Sequence, residues 1–393
     1  MKGVGAPLQV FALGSPVASS LRRTVGASRL VGRGEELAVL DVAVNMACEG
    51  QFQVVGVVGE AGVGKSRLCD EFARSVGERG ITVRRAVGVS HGKEVPLLPM
   101  LAFQREYFGI GDGDDAPAAR QKVTDRLLEL DPGLEDTLPL LFDFLEVPDP
   151  DRPVPAMAPE VRMRRLFDAV RRITVRRSER ETLVLVFEDL HWFDPQSEAF
   201  LERLIESYPG SRTLVVTNFR PEFSARWMRH SYYRQLPLSP LPEQAIGELL
   251  GGLLGVDLSM APLVSFILER TGGNPFFVEE VVRGLIEDGT LAGGPGNYRL
   301  TRSLHEIRVP PSVQAVLAAR IDRLPIEQKA LLETASVIGR TFDRVVLSRV
   351  KAIPADELDD ALSALCGAEL LQDAGGDPSR EYRYWHPLTQ EVA

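Results

Sequence analysis

Residues 53–68 read QVVGVVGEAGVGKSRL, and that order decides the fold. Gln53–Val58 is a continuous apolar run rich in β-branched residues, the pattern of a strand buried on both faces. Gly59-Glu60-Ala61-Gly62-Val63-Gly64-Lys65-Ser66 follows at once and satisfies G-x-x-x-x-G-K-[ST]. A helix is expected from Ser66 to about Ser75. Strand, glycine loop and helix in this order are the setting in which the motif cradles phosphate. The glycines let backbone N–H groups curl around phosphate oxygens, and the helix N-terminus adds unpaired donors and a favourable dipole. Lys65 is expected to reach the β and γ phosphates of ATP, and the Ser66 hydroxyl to hold Mg2+. The run Gly59, Glu60, Ala61, Gly62, Val63, Gly64, Lys65, Ser66 and Arg67 is therefore the candidate nucleotide site.

Working outward, Thr82–Val89, Leu183–Phe187, Thr213–Thr217 and Tyr233–Leu236 are further short apolar runs separated by helical or polar segments. Apolar strands alternating with helices imply a parallel sheet covered on both faces. The run LVLVF ends in Glu188-Asp189, two carboxylates where a strand would deliver a partner acid for the metal. By analogy with other P-loop ATPases, Glu188 takes the metal-side position and Asp189 orients water, although the two could exchange roles. Neighbouring strand residues face opposite ways, so both cannot meet the metal equally. Arg220, in Thr217-Asn218-Phe219-Arg220-Pro221, stands where a strand-end arginine can sense the γ-phosphate. His191 has no second ligand at metal-binding spacing and reads as a packing residue. No G-x-S-x-G elbow, H-E-x-x-H or paired-carboxylate glycosidase pattern occurs, so nucleophilic or zinc hydrolysis has no support.

After Leu238 the strand signal stops. Glu243–Leu254, Ala261–Arg270 and Phe276–Asp288 read as helices; from Pro310 more helices follow, then a hairpin of Leu370–Asp373 and Glu381–Trp385 around AGGDPSR. Val161–Arg180 holds eight arginines among twenty residues, with Met163, Leu166, Phe167, Val170 and Ile173 at helical spacing. An amphipathic helix with a solvated arginine face is expected there. The chain of 393 residues carries 45 Lys+Arg against 55 Asp+Glu, a net −10, which argues against broad nucleic-acid binding. No run approaches the roughly 18 apolar residues of a membrane helix. Three scattered cysteines exclude a disulfide scaffold and favour a reducing, cytoplasmic setting.

Five segments in order carry a resemblance: Leu30-Val31-Gly32-Arg33-Gly34-Glu35-Glu36-Leu37, GEAGVGKSRL, VFEDLHWFDP, TNFRPEF, and Gly273-Asn274-Pro275-Phe276-Phe277-Val278-Glu279-Glu280. Together they resemble the signal-transduction ATPases with numerous domains (STAND). More narrowly, they look like the AAA-type ATPase module attached to class III adenylate/guanylate cyclases and to large bacterial transcription regulators. The resemblance implies that Val31, Gly32 and Arg33 line the adenine pocket, that Pro275 meets adenine from a helical lid, and that Arg220 is the first sensor. Pro310–Leu324 and Leu331–Phe342 resemble that family's winged helix, and Arg229 is its only candidate arginine finger. The expected architecture is thus α/β: a P-loop NTPase (AAA/STAND-like) parallel sheet over 30–240, a helical lid over 241–304 and a winged helix over 305–393.

Residues 1–29 hold no acid and read as a leader or linker; Met1–Phe11 resembles the closing strand of a class III cyclase domain. The end, Tyr384–Ala393, resembles a helix leading into helical repeats. The expectation is a module of a longer regulator, with a cyclase-type domain upstream and repeats downstream as partners, and cyclase activity not encoded in this segment. The expected function is an ATP-binding switch with slow, Mg2+-dependent hydrolysis and possible nucleotide-dependent self-association. The alternatives are an initiator-like DNA-binding ATPase and an ATP-binding scaffold without turnover. His305–Ala393 carries ten Lys+Arg against fourteen Asp+Glu, a poor match to nucleic-acid phosphates.

Overall fold

A computed structural model describes residues 30–88, 96–111, 113–255, 261–294, 296–303, 310, 312–351, 353–375 and 381–393. The readings of 1–29, of Val89 and of the hairpin turn at 376–380 lie outside the described residues. In chain order the first part runs α1 (Gly34–Cys48), β1 (Gln53–Val58), α2 (Lys65–Glu78) and β2 (Thr82–Val87). Then come α3 (Leu98–Phe108), α4 (Ala116–Leu130), α5 (Leu138–Phe144), α6 (Pro159–Arg180) and β3 (Leu183–Glu188). It closes with α7 (Pro195–Glu206), β4 (Thr213–Phe219) and β5 (Tyr233–Pro237). The five strands pair in the order β2-β3-β4-β1-β5, with each adjacent pair parallel.

Period two along the strands fixes the two cores. Val54, Leu183, Leu185, Phe187, Val215 and Phe219 face one buried cluster. Val55, Val57, Val184, Val186, Leu214 and Val216 face the other, with Leu40, Leu68 and Phe72 of α1 and α2. The sheet is covered on both sides, as its uninterrupted apolar strands require. Parallel pairing also puts the carboxyl ends of β1, β3 and β4 along one edge, where ligands of open α/β sheets bind.

The helical segment consists of α8 (Glu243–Leu254), α9 (Ala261–Thr271) and α10 (Pro275–Glu287), followed by a hairpin of β6 (Leu291–Gly294) and β7 (Asn297–Leu300). The C-terminal segment runs α11 (Val313–Asp322), α12 (Ile326–Ile338), β8 (Thr341–Asp343), α13 (Arg344–Lys351) and α14 (Ala355–Gly367). It ends with β9 (Leu371–Gly375), β10 (Glu381–Tyr384) and α15 (Pro387–Val392). Its strands form a three-stranded antiparallel sheet in the order β8-β10-β9. Leu249, Ile267, Phe277 and Val281 of the helical segment share one apolar cluster with Val316 and Leu317 of α11 and Leu388 of α15.

One expectation is corrected. Strands do not stop after Leu238: β6, β7 and β8 are additional, and they escape a periodicity reading because they are three or four residues long and, at LAGG, poor in β-branched residues. The arginine face of α6 is largely solvent-exposed, as expected, and it also carries ion pairs to the neighbouring layer. Arg162 pairs with Asp143, Arg172 with Asp136 at 2.9 Å and Arg176 with Asp131 at 2.8 Å. Arg180 donates to the Glu129 carbonyl at 3.1 Å. These arginines tie α6 to the α4–α5 layer.

Candidate nucleotide site

The phosphate loop is built from its glycines upward. Gly64 takes φ 100° at the N-cap of α2, a conformation that strains any residue with a Cβ, and α2 starts without a side-chain cap. Its first N–H groups are thus left for an anion, as a phosphate loop requires. Gly62 (φ 79°) lies so close to the helical segment that a Cβ there would stand 2.9 Å from Asn274 Oδ1 and 3.0 Å from Phe276 Cβ. Lys65 is buried, and its Nζ donates to the carbonyls of Gly59 (2.8 Å) and Glu60 (2.9 Å). Burial pulls its pKa below the usual lysine value, opposed first by the Asp189 carboxylate.

Glu188 and Asp189 separate as strand geometry demands. Glu188 ends β3, buried, with the Ser66 hydroxyl near enough to favour its charged form. Its Oε2 accepts from Asn218 Nδ2 at 3.1 Å, while Oε1 lies 3.4 Å from Arg85 Nη2. Burial raises its pKa, and the Arg85 charge opposes that. Asp189 turns off the strand at φ 56°. Its N–H donates to Asn218 Oδ1 at 2.8 Å, and its Oδ2 accepts from Arg340 Nη1 at 3.1 Å. Asn218, fully buried at the end of β4, therefore holds both acids with one amide.

The Ser66 hydroxyl beside the Glu188 carboxylate is a hard-oxygen pair suited to Mg2+, which needs few protein ligands when substrate phosphates supply others. Among the described residues no group of three His, Cys, Asp or Glu forms a metal cage. His191 accords with the packing reading, its ring 5.1 Å from that of Trp192.

The helical segment meets the loop directly. Asn274 caps α10 through Phe277 N–H (3.2 Å), and its Nδ2 donates to the Ala61 carbonyl (3.0 Å). Phe276 N–H donates to the Gly62 carbonyl at 3.3 Å, and Pro275 packs over Gly64. Arg33, 5% exposed, donates to the carbonyls of Val63 (3.1 Å) and Ser239 (2.7 Å), so it braces the loop to the connection between β5 and α8. Gly32 abuts Ala245 of α8, and Val31 packs on the helical segment's core. Arg67 sits 4.0 Å from Glu279 of α10.

The C-terminal segment completes the surroundings, and sequence reasoning missed its part. Besides Arg340 on Asp189, Glu391 of α15 accepts from Arg220 Nη2 at 2.7 Å. Arg220 also lies over the Trp192 ring at 5.8 Å. His386 stacks on Phe276 with ring centroids 3.7 Å apart and accepts from Leu388 N–H through Nδ1. Burial first, then Arg340, Lys65 and Arg220, push its pKa down to about 3, so the ring is neutral near pH 7. Arg229 is exposed on the turn Arg226–Arg229, away from these contacts. Asn218 had a sequence signal, a polar residue closing an apolar strand. Arg340, His386 and Glu391 had none, because only tertiary folding brings them to residues 110 to 171 positions earlier.

The parallel sheet and its glycine loop are those of a P-loop ATPase module, with a site of the kind that takes nucleotide. Residues 29–216 match the family model described as an AAA ATPase domain, and residues 242–292 match a domain of unknown function. A curated relative, the uncharacterized protein R02095 of Rhizobium meliloti strain 1021, is 26% identical over 406 residues. The alignment covers all of this chain but 38% of that protein's length. Among solved structures, a chain of Drosophila ORC bound to DNA is 12% identical with TM-score 0.44, covering 99% of this chain and 95% of its own. A chain from Drosophila ORC bound to AT-rich DNA and Cdc6 is 12% identical with TM-score 0.26, covering 91% and 90%. No described helix is long and apolar enough to cross a membrane.

Proposed function

We propose that the chain is a nucleotide-controlled switch: it binds ATP, hydrolyses it slowly with Mg2+, and couples the state of the nucleotide to the placement of its C-terminal segment. The single observation that carries this reading is the reach of that segment into the site, through Arg340 on Asp189, Glu391 on Arg220 and His386 on Phe276. Two of the groups so engaged, Asp189 and Arg220, are the ones expected to handle water and the terminal phosphate. A ligand that bears on them differently as ATP and as ADP biases the segment's position, since only differential affinity shifts a conformational equilibrium.

In this reading residues 30–240 are the ATPase core, 241–304 the lid and 305–393 a winged helix. The order helix, helix, strand, helix, helix, hairpin with the β8-β10-β9 sheet supports the last assignment. Lys65 and the loop amides would bind and orient the phosphates, Glu188 and Ser66 would hold the metal, and Asp189 would orient water. Mg2+, when bound, supplies charge neutralisation of the phosphates. Asn218 fixes the two acids, and the lid excludes water through Pro275 and Phe276. We assign the module to a longer cytoplasmic regulator of the cyclase-associated or transcriptional kind, on the strength of the five ordered motifs and a relative that is itself much longer.

Hydrogen–deuterium exchange tests the coupling. Residues 381–393 should exchange at different rates with ADP and with a non-hydrolysable ATP analogue, both with Mg2+. Identical exchange at saturating concentrations of each would leave the switch without support.

A further inference from the structure

Three cations lie near one another at the carboxyl edge of the sheet, and two of them, Lys65 and Arg340, act on Asp189. Lys65 comes from the phosphate loop, and Asp189 is the charge that acts on it most. Arg220 comes from the end of β4. Arg340 comes from the C-terminal segment, between the end of α12 and β8, with its backbone carbonyl accepting from Tyr384 N–H of β10 at 2.9 Å. The small sheet thus fixes where the Arg340 side chain starts, and its Nη1 ends 3.1 Å from Asp189 Oδ2. Lys65, Arg220 and Arg340 each disfavour a charged His386 ring, so all three lie in its electrostatic neighbourhood.

Two of these cations share one acid. Asp189 faces Lys65 and Arg340, Glu391 holds Arg220, and Glu188 has its own counter-ion in Arg85. Glu60 also draws on Lys65, but Lys65 and Arg340 share Asp189 beside a loop of free amides, so a polyanion entering that loop competes with the carboxylate for both. A guanidinium carries five N–H donors in a rigid fork that fits phosphate oxygens better than an ammonium does. The Asp189 contact engages Nη1 of that fork.

We propose that Arg340 is a nucleotide-contacting residue that exchanges Asp189 for the terminal phosphate of ATP, so that the phosphate site is completed by the C-terminal segment and not by the ATPase core alone. This rests on the reading of the site as an ATP site. It differs from a purely masking role, in which Arg340 only neutralises Asp189 and its removal leaves affinity unchanged or improved.

A double-substitution cycle separates the two. With Asp189→Asn as background, Arg340 has lost its charged partner, so any remaining effect of Arg340→Ala on ATP must come from elsewhere. Affinities for Mg-ATP and Mg-ADP are read by calorimetry on the full chain. Adding Arg340→Ala to Asp189→Asn should weaken Mg-ATP binding by at least about tenfold, the loss of a charge-assisted bond, and shift Mg-ADP by less than about threefold. Arg340→Lys should fall between, because it keeps the charge without the fork. Should the alanine variant not fold, Arg340→Gln carries the same comparison. Equal Mg-ATP affinity with and without Arg340, or an equal loss for Mg-ADP, overturns the proposal while leaving the nucleotide site intact. Failure of the unsubstituted chain to bind Mg-ATP removes the nucleotide reading itself, and the assignment of Arg340 with it.

Discussion

Replacing Asn218 with alanine should uncouple the two acids from the sheet. The amide has no solvent to fall back on: it is fully buried, donates to Glu188 Oε2 at 3.1 Å and accepts from Asp189 N–H at 2.8 Å. Alanine removes a hydrogen bond to a charged group, worth about 1.5–3 kcal/mol, and leaves a buried N–H unpaired at about 1–3 kcal/mol. The two losses share one side chain and a relaxing loop, so their sum is an upper bound, and about 3 kcal/mol is the working figure. For a urea slope of about 2–3 kcal/mol/M the midpoint should fall by about 1 M. Trp227, buried in the core cluster below the sheet, reports the transition by fluorescence. The charge on Glu188 also loses one of its supports, so the affinity for Mg-ATP should fall more than that for ATP in EDTA. A midpoint within about 0.2 M of the unsubstituted chain, with unchanged Mg2+ dependence, would refute the idea that this amide organises the acids.

The remaining expectations concern neighbouring groups. Glu188→Gln combined with Asp189→Asn should keep nucleotide binding and abolish Mg2+-dependent phosphate release; release at the original rate would show that neither acid takes part. Asn274→Ala removes both the α10 cap and the bond to Ala61, about 1 kcal/mol for the cap alone, and should weaken ATP severalfold; identical calorimetric affinity and melting temperature would contradict the join between lid and loop. His386 has a folded pKa of about 3, below the unfolded value near 6.5, so the unfolded chain gains a proton that the folded one does not between those values. Stability from that burial is complete above pH 6.5 and declines as pH falls, by about 2 kcal/mol at pH 5. The adjacent Trp385 should report loosening there that His386→Phe suppresses, and equal pH dependence of both chains would argue against it.

Much of this arrangement was legible in the chain because its cause is local. A strand buried on both faces must be apolar throughout, so β1, β3 and β4 announce themselves, and a loop that wraps phosphate must be glycine-rich. The helix caps are equally local, although the sequence reading did not use them: Asp194-Pro195 begins α7, with Asp194 accepting from Gln196 and Ser197 N–H, and Asn274-Pro275 begins α10, with Asn274 accepting from Phe277 N–H. What stayed hidden depends on distant pairings. Nothing near Arg340 says that it meets Asp189, and nothing near His386 says that its ring will lie on Phe276. The α6 arginines show the same limit: their spacing gives the helix, but their ion pairs depend on where α4 and α5 pack. Arg33 was expected at the adenine pocket by resemblance; its guanidinium lies on the carbonyls of Val63 and Ser239, a contact that no local pattern encodes.

The central claim is that the loop at Gly59–Ser66 binds ATP through Lys65, and calorimetric titration of Mg-ATP into the full chain and into Lys65→Ala tests it most directly. Lys65 is the buried cation of the loop and already contacts its carbonyls. The unsubstituted chain should give a saturable one-to-one isotherm, and Lys65→Ala should lose it or weaken it by about a hundredfold or more, the scale of a buried charged contact. Equal affinity of the two chains for Mg-ATP would contradict the account.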